Sequence, residues 1–426
     1  MKINIITLGC SKNTVDSEVL ASNFSQNGLI VEHEYTDGEV LIINTCGFIN
    51  DAKEQSVDTI LAFASLKKKK KIKQLIVIGC LVERYKEELS TEITEVDAWF
   101  GVHEWKEILR FITQNSAEYS LIDRDLSTPK HYAYLKISEG CNRRCSFCAI
   151  PFIRGKHESR SIESLYVEAS NLALKGVKEL ILIAQDITVY GLDMYKKQML
   201  PELIKKLSEI EQIKWIRLHY AYPVMFPTEI LDMMNHNTKL CKYLDIPLQH
   251  ISDDILKSMN RGHDEKETRD LIRLIKTNVP EIAIRTTFIV GYPGETQEQF
   301  QNLLEYVSET KFDRLGAFPY SEEEGTTAAS LKDDVSSIEK MKRMDEIMAL
   351  QQEISLEKNL QMIGKELEVV IDEHEEGIYY ARTEFDSPEV DNQVLIQTTQ
   401  KLKIGEFYKV KITGADYFDL DAEVIE

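Results

Sequence analysis

Three cysteines in the middle of the chain have the spacing of a metal-binding motif. Cys141, Cys145 and Cys148 form the pattern C-x-x-x-C-x-x-C directly after an apolar segment that predicts a strand. Thiolates are soft ligands that suit iron-sulfur clusters and zinc. A structural zinc site usually has four protein ligands, and no fourth Cys or His stands at close spacing here. The pattern therefore favours a 4Fe-4S cluster held through three of its irons, with the fourth iron open to a substrate or cofactor.

A second set of thiols is dispersed over the N-terminal part of the chain. Cys10, Cys46 and Cys80 each come immediately after an apolar run that predicts a parallel strand, and each has a glycine neighbour. Because the carboxyl ends of parallel strands share one edge of a sheet, we expect the three thiols to converge, with the glycines admitting a bulky inorganic group. The alternative is three buried cysteines that end three strands by chance. Cys241 has no partner at such a spacing, which indicates a buried free thiol.

The elements that must position these thiols follow a βα rhythm over most of the chain. Residues 1–125 predict a doubly wound parallel α/β domain. Residues 126–358 predict about six βα units, hence an open (β/α)6 partial TIM barrel with its site at the carboxyl ends of the strands. Short strands in residues 359–426 predict a small antiparallel β barrel. The fold class is therefore α/β with a C-terminal β domain.

Composition restricts the class of protein further. The 426 residues are 43% hydrophobic and 29% charged, which is typical of a folded protein with an ample core. The chain contains no apolar run near the roughly 18 residues that cross a bilayer and no signal-like start, so we expect a cytoplasmic protein without a membrane partner. The net charge of −20 should repel nucleic-acid backbones on average and favour a basic protein partner.

The order of the two cysteine sets, the segment 136–142 around the first middle cysteine and the C-terminal β domain resemble the methylthiotransferases of the radical S-adenosylmethionine superfamily. The resemblance covers essentially the whole chain. It implies a radical 4Fe-4S cluster that binds S-adenosylmethionine, a second, auxiliary 4Fe-4S cluster, and a C-terminal TRAM domain that binds the macromolecular substrate. The implied ligands are Cys141, Cys145 and Cys148 for the radical cluster, and Cys10, Cys46 and Cys80 for the auxiliary cluster.

Four shorter segments resemble the branch of this family that modifies an aspartate of the small-subunit ribosomal protein numbered twelve. They are residues 9–13, 184–186, 245–250 and 387–391. Asn392 and Glu322 depart from the pattern of that branch, at positions where we expect surface turns. The resemblance implies hydrogen abstraction from the β-carbon of the aspartate, insertion of a methylated sulfur, and two S-adenosylmethionine molecules per turnover. It also implies an electron donor such as flavodoxin or ferredoxin and a source of sulfur.

Two loops are candidates for contact with S-adenosylmethionine. Gln185 and Asp186 end the second strand of the middle domain, where the superfamily often has a segment that binds the methionine amine. Gly291 and Gly294 follow a later strand and resemble the loop on the adenine side. Ordinary turn chemistry at the ends of strands is an equal alternative for both pairs.

The charge of the C-terminal domain helps to choose the substrate. From Lys365 onward there are six basic and sixteen acidic residues. A barrel that clamps tRNA should carry a basic groove, so this domain should prefer a basic ribosomal protein, free or in the assembled subunit. A tRNA adenosine methylthiotransferase is the nearest alternative. A non-catalytic iron-sulfur or zinc protein that binds RNA is the alternative from another class.

Overall fold

The computed structural model describes residues 1–114 and 119–425. Its main sheets are a parallel sheet of five strands, a parallel sheet of six strands and a closed barrel of five strands, in that order along the chain. Each lies within one of the three predicted segments, whose boundaries stay a prediction. No helix in the described part of the chain is long and apolar enough to cross a membrane.

The N-terminal sheet has the strand order β2-β1-β3-β4-β5. Its elements are β1 Lys2–Thr7, α1 Ser11–Gln26, β2 Ile30–His33, β3 Val40–Thr45, α2 Asn50–Lys68, β4 Gln74–Gly79, α3 Cys80–Glu92, β5 Ala98–Phe100 and α4 Trp105–Thr113. The three central strands are continuous apolar runs because helices cover both faces of the sheet. The edge strands β2 and β5 are short and have no such run, so the sequence did not reveal them.

The middle sheet has the order β13-β12-β11-β10-β9-β6 and is open, which confirms the predicted partial barrel. Its strands are β6 Tyr132–Lys136, β9 Glu179–Ile183, β10 Trp215–Leu218, β11 Leu240–Asp245, β12 Ala283–Val290 and β13 Arg314–Pro319, with a ribbon of β7 Ser138–Glu139 and β8 Glu158–Ser159. Its helices are α5 Ile150–Ile153, α6 Ile162–Leu174, α7 Leu192–Tyr195, α8 Leu200–Ser208, α9 Glu229–His236, α10 Asp253–Ser258, α11 Glu265–Asn278, α12 Gln297–Thr310 and α13 Ser337–Leu360, with a 3-10 turn at Ala328–Ser330.

The C-terminal barrel closes in the order β14-β15-β16-β18-β17. Its strands are β14 Glu366–Glu375, β15 Ile378–Thr383, β16 Val394–Gln397, β17 Phe407–Ala415 and β18 Leu420–Val424. The β16–β18 pair is parallel, although we predicted an antiparallel barrel. The reason is geometric, because a closed ring with an odd number of strands must contain at least one parallel pair.

The inner face of the partial barrel is covered from both sides by the other domains. Val15 and Val19 of α1 pack on Tyr134 and Ile181 of the barrel. On the other side, Trp215 meets Phe407 of the C-terminal barrel edge to face, with ring centroids 4.8 Å apart. We call the inner face of the barrel at the carboxyl ends of its strands the lumen.

Buried ion pairs hold the three domains together. Arg124 is 1% exposed and donates to Glu18 of α1 and to Glu168 of α6, so the segment between the first two domains is fixed in place. Arg382 of β15 donates to Glu179 of β9 at 2.8 Å. Asn392, expected in a surface turn, is buried against Asn359 because the loop that follows β15 packs between the barrels.

Candidate functional site

The N-terminal thiols meet at one edge of the first sheet. Cys10 directly precedes α1, Cys46 directly follows β3, and Cys80 is the first residue of α3. Their strands β1, β3 and β4 are neighbours, which brings the three ends together. Burial raises the pKa of Cys80 to about 12 against the opposing charge of Arg154, and the neighbouring Cys10 and Cys46 contribute to the rise. Two of these thiols lie at helix N-termini, where the partial positive charge favours an anion.

The glycines beside these thiols serve the packing of the strand ends. Gly9 has φ +94°, and a Cβ on it would lie 2.7 Å from the Cβ of Cys46. Gly79 has φ +103°, and its Cβ would lie 2.5 Å from the side-chain oxygen of Asn44. Protein atoms therefore occupy the space that we expected an inorganic group to approach. The glycines bring the thiols close to one another instead.

The middle thiols lie in one loop between β7 and α5. The loop is held by backbone hydrogen bonds, among them Cys141 N to the Gly155 carbonyl at 3.0 Å and Cys148 N to the Cys145 carbonyl at 3.1 Å. Ser146 between them is hydrogen-bonded to the Tyr292 hydroxyl at 2.8 Å. Burial raises the pKa of Cys141 to about 11 and that of Cys148 to about 12.

Both triads have the chemistry of iron-sulfur ligands. Buried thiols with raised pKa values lose their protons when a metal supplies compensating positive charge. One guanidinium also faces each triad: Arg154 lies 3.4 Å from the sulfur of Cys80, and Arg261 lies 3.4 Å from that of Cys145. Such contacts tune cluster potentials. In residues 1–114 and 119–425 no group of three or more Cys, His, Asp or Glu side chains is arranged to hold a single metal ion.

A buried network of charges links the N-terminal triad to the region of the middle triad. Arg154, which follows α5, donates to Asp16 of α1 at 2.7 Å and to Glu139 of β7 at 3.1 Å. Burial alone would raise the pKa of Glu139, but Lys136 and Arg154 hold it well below its usual range. Lys136 bonds both Asp16 and Glu139. One arginine thus contacts a thiol of the N-terminal triad while it is anchored in the loop region of the middle triad.

The segment that follows β10 is a second bridge between the triads. The hydroxyl of Tyr222 lies 3.9 Å from the sulfur of Cys145. The ring of Tyr220 lies under the ammonium of Lys12, 3.0 Å from it, and Lys12 is two residues from Cys10. Tyr220 has φ +62°, an uncommon conformation for a bulky residue that often marks a functional position. Nothing in the local sequence links these tyrosines or Arg261 to the cysteines, so the cysteine motifs did not reveal them.

Gln185 and Asp186 lie beside the middle triad. Gln185 donates to Glu139 at 2.8 Å, and its buried carbonyl oxygen has no hydrogen-bond partner among the described residues. Asp186 accepts from Arg143 at 3.0 Å and lines a cavity of about 340 Å³ next to Cys141. This cavity is where we expect part of a bound S-adenosylmethionine, and its contact with these two residues stays a prediction.

Gly291 and Gly294 form a tight turn behind the middle triad. Glu295 accepts the backbone N–H of Gly291 at 2.5 Å, and Asp334 accepts that of Gly294 at 2.8 Å. A Cβ on Gly291 would meet the side chain of Lys340 at 2.2 Å. The turn is thus tied to the long helix α13, and a direct contact with the cofactor stays a prediction.

Models of three known families match successive parts of the chain. The uncharacterized protein family UPF0004 matches residues 2–101, the radical SAM superfamily residues 135–307 and the TRAM domain residues 363–425.

Two solved structures share the fold across most of the chain. TsrM from Kitasatospora setae, a radical S-adenosylmethionine methyltransferase, has a TM-score of 0.54 at 14% identity, covering 74% of this chain and 72% of its own. OxsB, a cobalamin-dependent S-adenosylmethionine radical enzyme, has a TM-score of 0.52 at 12% identity, covering 82% and 56%.

Curated relatives match this chain from end to end. A protein of Bacteroides thetaiotaomicron named ribosomal protein uS12 methylthiotransferase RimO is 52% identical over 100% of this chain and 98% of its own length. A protein of Christiangramia forsetii with the same name is 53% identical over 99% of this chain and 94% of its own. At this level of identity over the full length, with both thiol triads on a radical SAM fold, the chain belongs to the RimO family of methylthiotransferases.

Proposed function

We propose that this enzyme replaces a hydrogen on the β-carbon of an aspartate in ribosomal protein uS12 with a methylthio group. The full-length relatives named for that reaction support the choice of substrate. The observation that carries the proposal is the presence of two thiol triads on one lumen, bridged by Arg154 and by the segment of Tyr220 and Tyr222. A reaction that joins sulfur to an unactivated carbon needs both a radical source and a sulfur source within reach of one substrate atom.

We assign Cys141, Cys145 and Cys148 to a radical 4Fe-4S cluster and Cys10, Cys46 and Cys80 to an auxiliary one. When bound, these clusters and S-adenosylmethionine supply the radical that abstracts a hydrogen atom, the sulfur atom and the methyl group. Acid-base catalysis could not activate a C–H bond that is not acidic. Two S-adenosylmethionine molecules are used per turnover, one for the methyl group and one for the radical. A low-potential donor such as flavodoxin or ferredoxin provides the electron, and a separate supply replaces the sulfur.

The protein itself positions these groups and excludes water. Arg154 and Arg261 place positive charge beside one thiol of each triad, which favours the thiolate form. Helix α1 packs on the inner face of the barrel, and the C-terminal barrel covers the strands near their amino ends, so water and stray hydrogen donors are excluded from these sides.

The acidic charge on the surface of the C-terminal barrel supports a basic protein as the partner. Part of its acidic charge is used internally, since Asp372 pairs with Arg382 and Asp386 pairs with Arg314. Other acids, among them Glu373, Glu375 and Glu376 near the tip of the β14–β15 hairpin, stay exposed. Ribosomal proteins are typically basic, so this surface is complementary in charge. We place the reaction in the cytoplasm, where free uS12 and the assembled subunit are both available as substrates.

The test is anaerobic reconstitution with iron and sulfide, followed by reaction with S-adenosylmethionine, a reductant and either uS12 or tRNA. We expect mass spectrometry to find one methylthio group in place of one hydrogen on a uS12 aspartate. Modification of a tRNA adenosine instead would favour the tRNA alternative. Zinc binding without cleavage of S-adenosylmethionine would favour the non-catalytic alternative.

A further inference from the structure

Lys12 is a buried ammonium inside the lumen. It retains 9% of its exposure and lies in the first turn of α1, two residues after Cys10. Its ammonium is 3.0 Å from the centre of the Tyr220 ring. A cation–π contact stabilises such a charge only in part, because a fully buried ion usually needs a paired anion.

No carboxylate among the described residues forms a salt bridge with Lys12, and this sets it apart from the other buried lysines. Lys136 pairs with Asp16 and Glu139, and Lys340 pairs with Asp333 at 2.5 Å. A buried charge without a partner is costly, so a protein keeps one where a ligand completes the pair.

Asp245 is an acidic group whose electrostatics involve Lys12, and it compensates the ammonium only weakly. Asp245 interacts electrostatically with Lys12, but burial raises the pKa of this carboxyl group despite the opposing effect of Arg285. One oxygen of Asp245 is buried without a hydrogen-bond partner among the described residues. Arg285 already faces two carboxylates, Asp245 at 3.7 Å and Asp391 at 3.3 Å. Of the two cations, Lys12 is therefore the one that can accept a further anion.

The position of Lys12 matches the geometry that the reaction requires. It stands beside the N-terminal triad, and Tyr220 beneath it is two residues from Tyr222, which contacts Cys145 of the middle triad. An anion bound to Lys12 thus lies between the two groups of thiols. In an aspartate side chain the β-carbon is bonded directly to the carboxylate, so anchoring the carboxylate also places the carbon that reacts.

We propose that Lys12 binds the side-chain carboxylate of the target aspartate and holds its β-carbon between the two thiol triads. This inference rests on the proposed function and names the recognition of its substrate. A nucleobase carries no carboxylate, so Lys12 also disfavours an adenosine in the same place.

The test is a double-mutant cycle between the enzyme and its substrate. Binding of recombinant uS12 is measured for the reconstituted wild type, Lys12→Met and Lys12→Arg. The same three affinities are measured for a uS12 variant in which the modified aspartate, located by mass spectrometry, is replaced by Asn. We expect Lys12→Met to weaken binding of normal uS12 roughly 10- to 100-fold, as for a lost charge-assisted hydrogen bond, and to change binding of the Asn form by less than about 3-fold. Lys12→Arg should restore most of the affinity.

Iron content and thermal unfolding of each variant verify that the neighbouring triad and the fold are intact. Equal loss of affinity for both forms of uS12 would overturn the inference, because Lys12 would then have only a structural role on Tyr220. Unchanged affinity for both forms would overturn it as well. If the wild type does not modify uS12 at all, the proposed function fails, and this inference with it.

Discussion

The two thiol triads reach similar chemistry by opposite routes. Cys141, Cys145 and Cys148 come from a single loop whose backbone hydrogen bonds set their spacing. The N-terminal thiols come from the ends of three neighbouring strands, and the sheet alone brings them together. Each triad nevertheless has two thiols whose pKa burial raises and one guanidinium at 3.4 Å from a sulfur.

A local motif tolerates changes elsewhere in the fold better than a dispersed one. A loop can hold three ligands in register even when its neighbours move. A triad built from strand ends depends on the packing of β1, β3 and β4 and on residues that join it to the next domain. We therefore expect the N-terminal triad to be the more sensitive of the two to distant substitutions.

The largest effects should separate the two triads by reaction. Cys148→Ala should abolish both reductive cleavage of S-adenosylmethionine and methylthiolation. Cys46→Ala should abolish methylthiolation but leave cleavage, with iron falling from roughly eight to roughly four per chain. Cys241→Ala, at the buried thiol outside both triads, is the matched control and should keep all the iron. Iron analysis and detection of 5'-deoxyadenosine measure these outcomes, and loss of cleavage in Cys46→Ala would contradict the separation.

Arg154→Met should produce the largest loss of stability among the charged residues. It leaves Asp16 and Glu139 with Lys136 as their remaining cation, and breaking a buried pair from one side costs about 3 kcal/mol. Urea unfolding should register this loss. Arg160→Met, which removes one of the two arginines that pair with Glu168, is the control. A loss no greater than that of the control would mean that the bridge between the domains is not held by Arg154.

Arg261→Met should act on the middle triad alone. The change removes the positive charge next to Cys145 and a hydrogen bond to the Pro247 carbonyl, which should cost about 1–3 kcal/mol in unfolding free energy. We expect the reduction potential of the radical cluster to fall, because its reduced form loses a stabilising cation. Redox titration monitored by electron paramagnetic resonance measures this potential. An equal shift in the potentials of both clusters would contradict the expectation that Arg261 acts on the middle triad alone.

The smallest effect should come from Ser56→Ala. The Ser56 hydroxyl accepts from the Cys46 backbone N–H at 3.1 Å and donates to the Cys46 carbonyl at 2.9 Å. Loss of this hydroxyl should lower the free energy of unfolding by about 1 kcal/mol and weaken iron binding at the N-terminal triad only. Ser208→Ala, which removes a comparable hydroxyl from the end of α8, should leave iron binding unchanged. If both variants lose iron equally, the position of Cys46 does not depend on Ser56.

Much of the architecture could be predicted from periodicity. The βα rhythm predicted the open six-stranded barrel, because strands covered on both faces are continuous apolar runs that stand out in the sequence. Short edge strands such as Ile30–His33 escaped detection, and so did the parallel pair in the C-terminal barrel. Both depend on neighbours distant in the chain rather than on local pattern.

The candidate ligands could be read from the sequence, because the types and spacings of the cysteines and the strands that precede them are local properties of the chain. The surroundings of those ligands depend on how the chain folds. Arg261 reaches Cys145 across 116 positions, and Arg154 reaches Cys80 across 74. Lys12 gained its place over Tyr220 because α1 packs into the open face of the barrel. Charge and burial act through space, so contacts between distant segments leave no periodic signal in the order of residues.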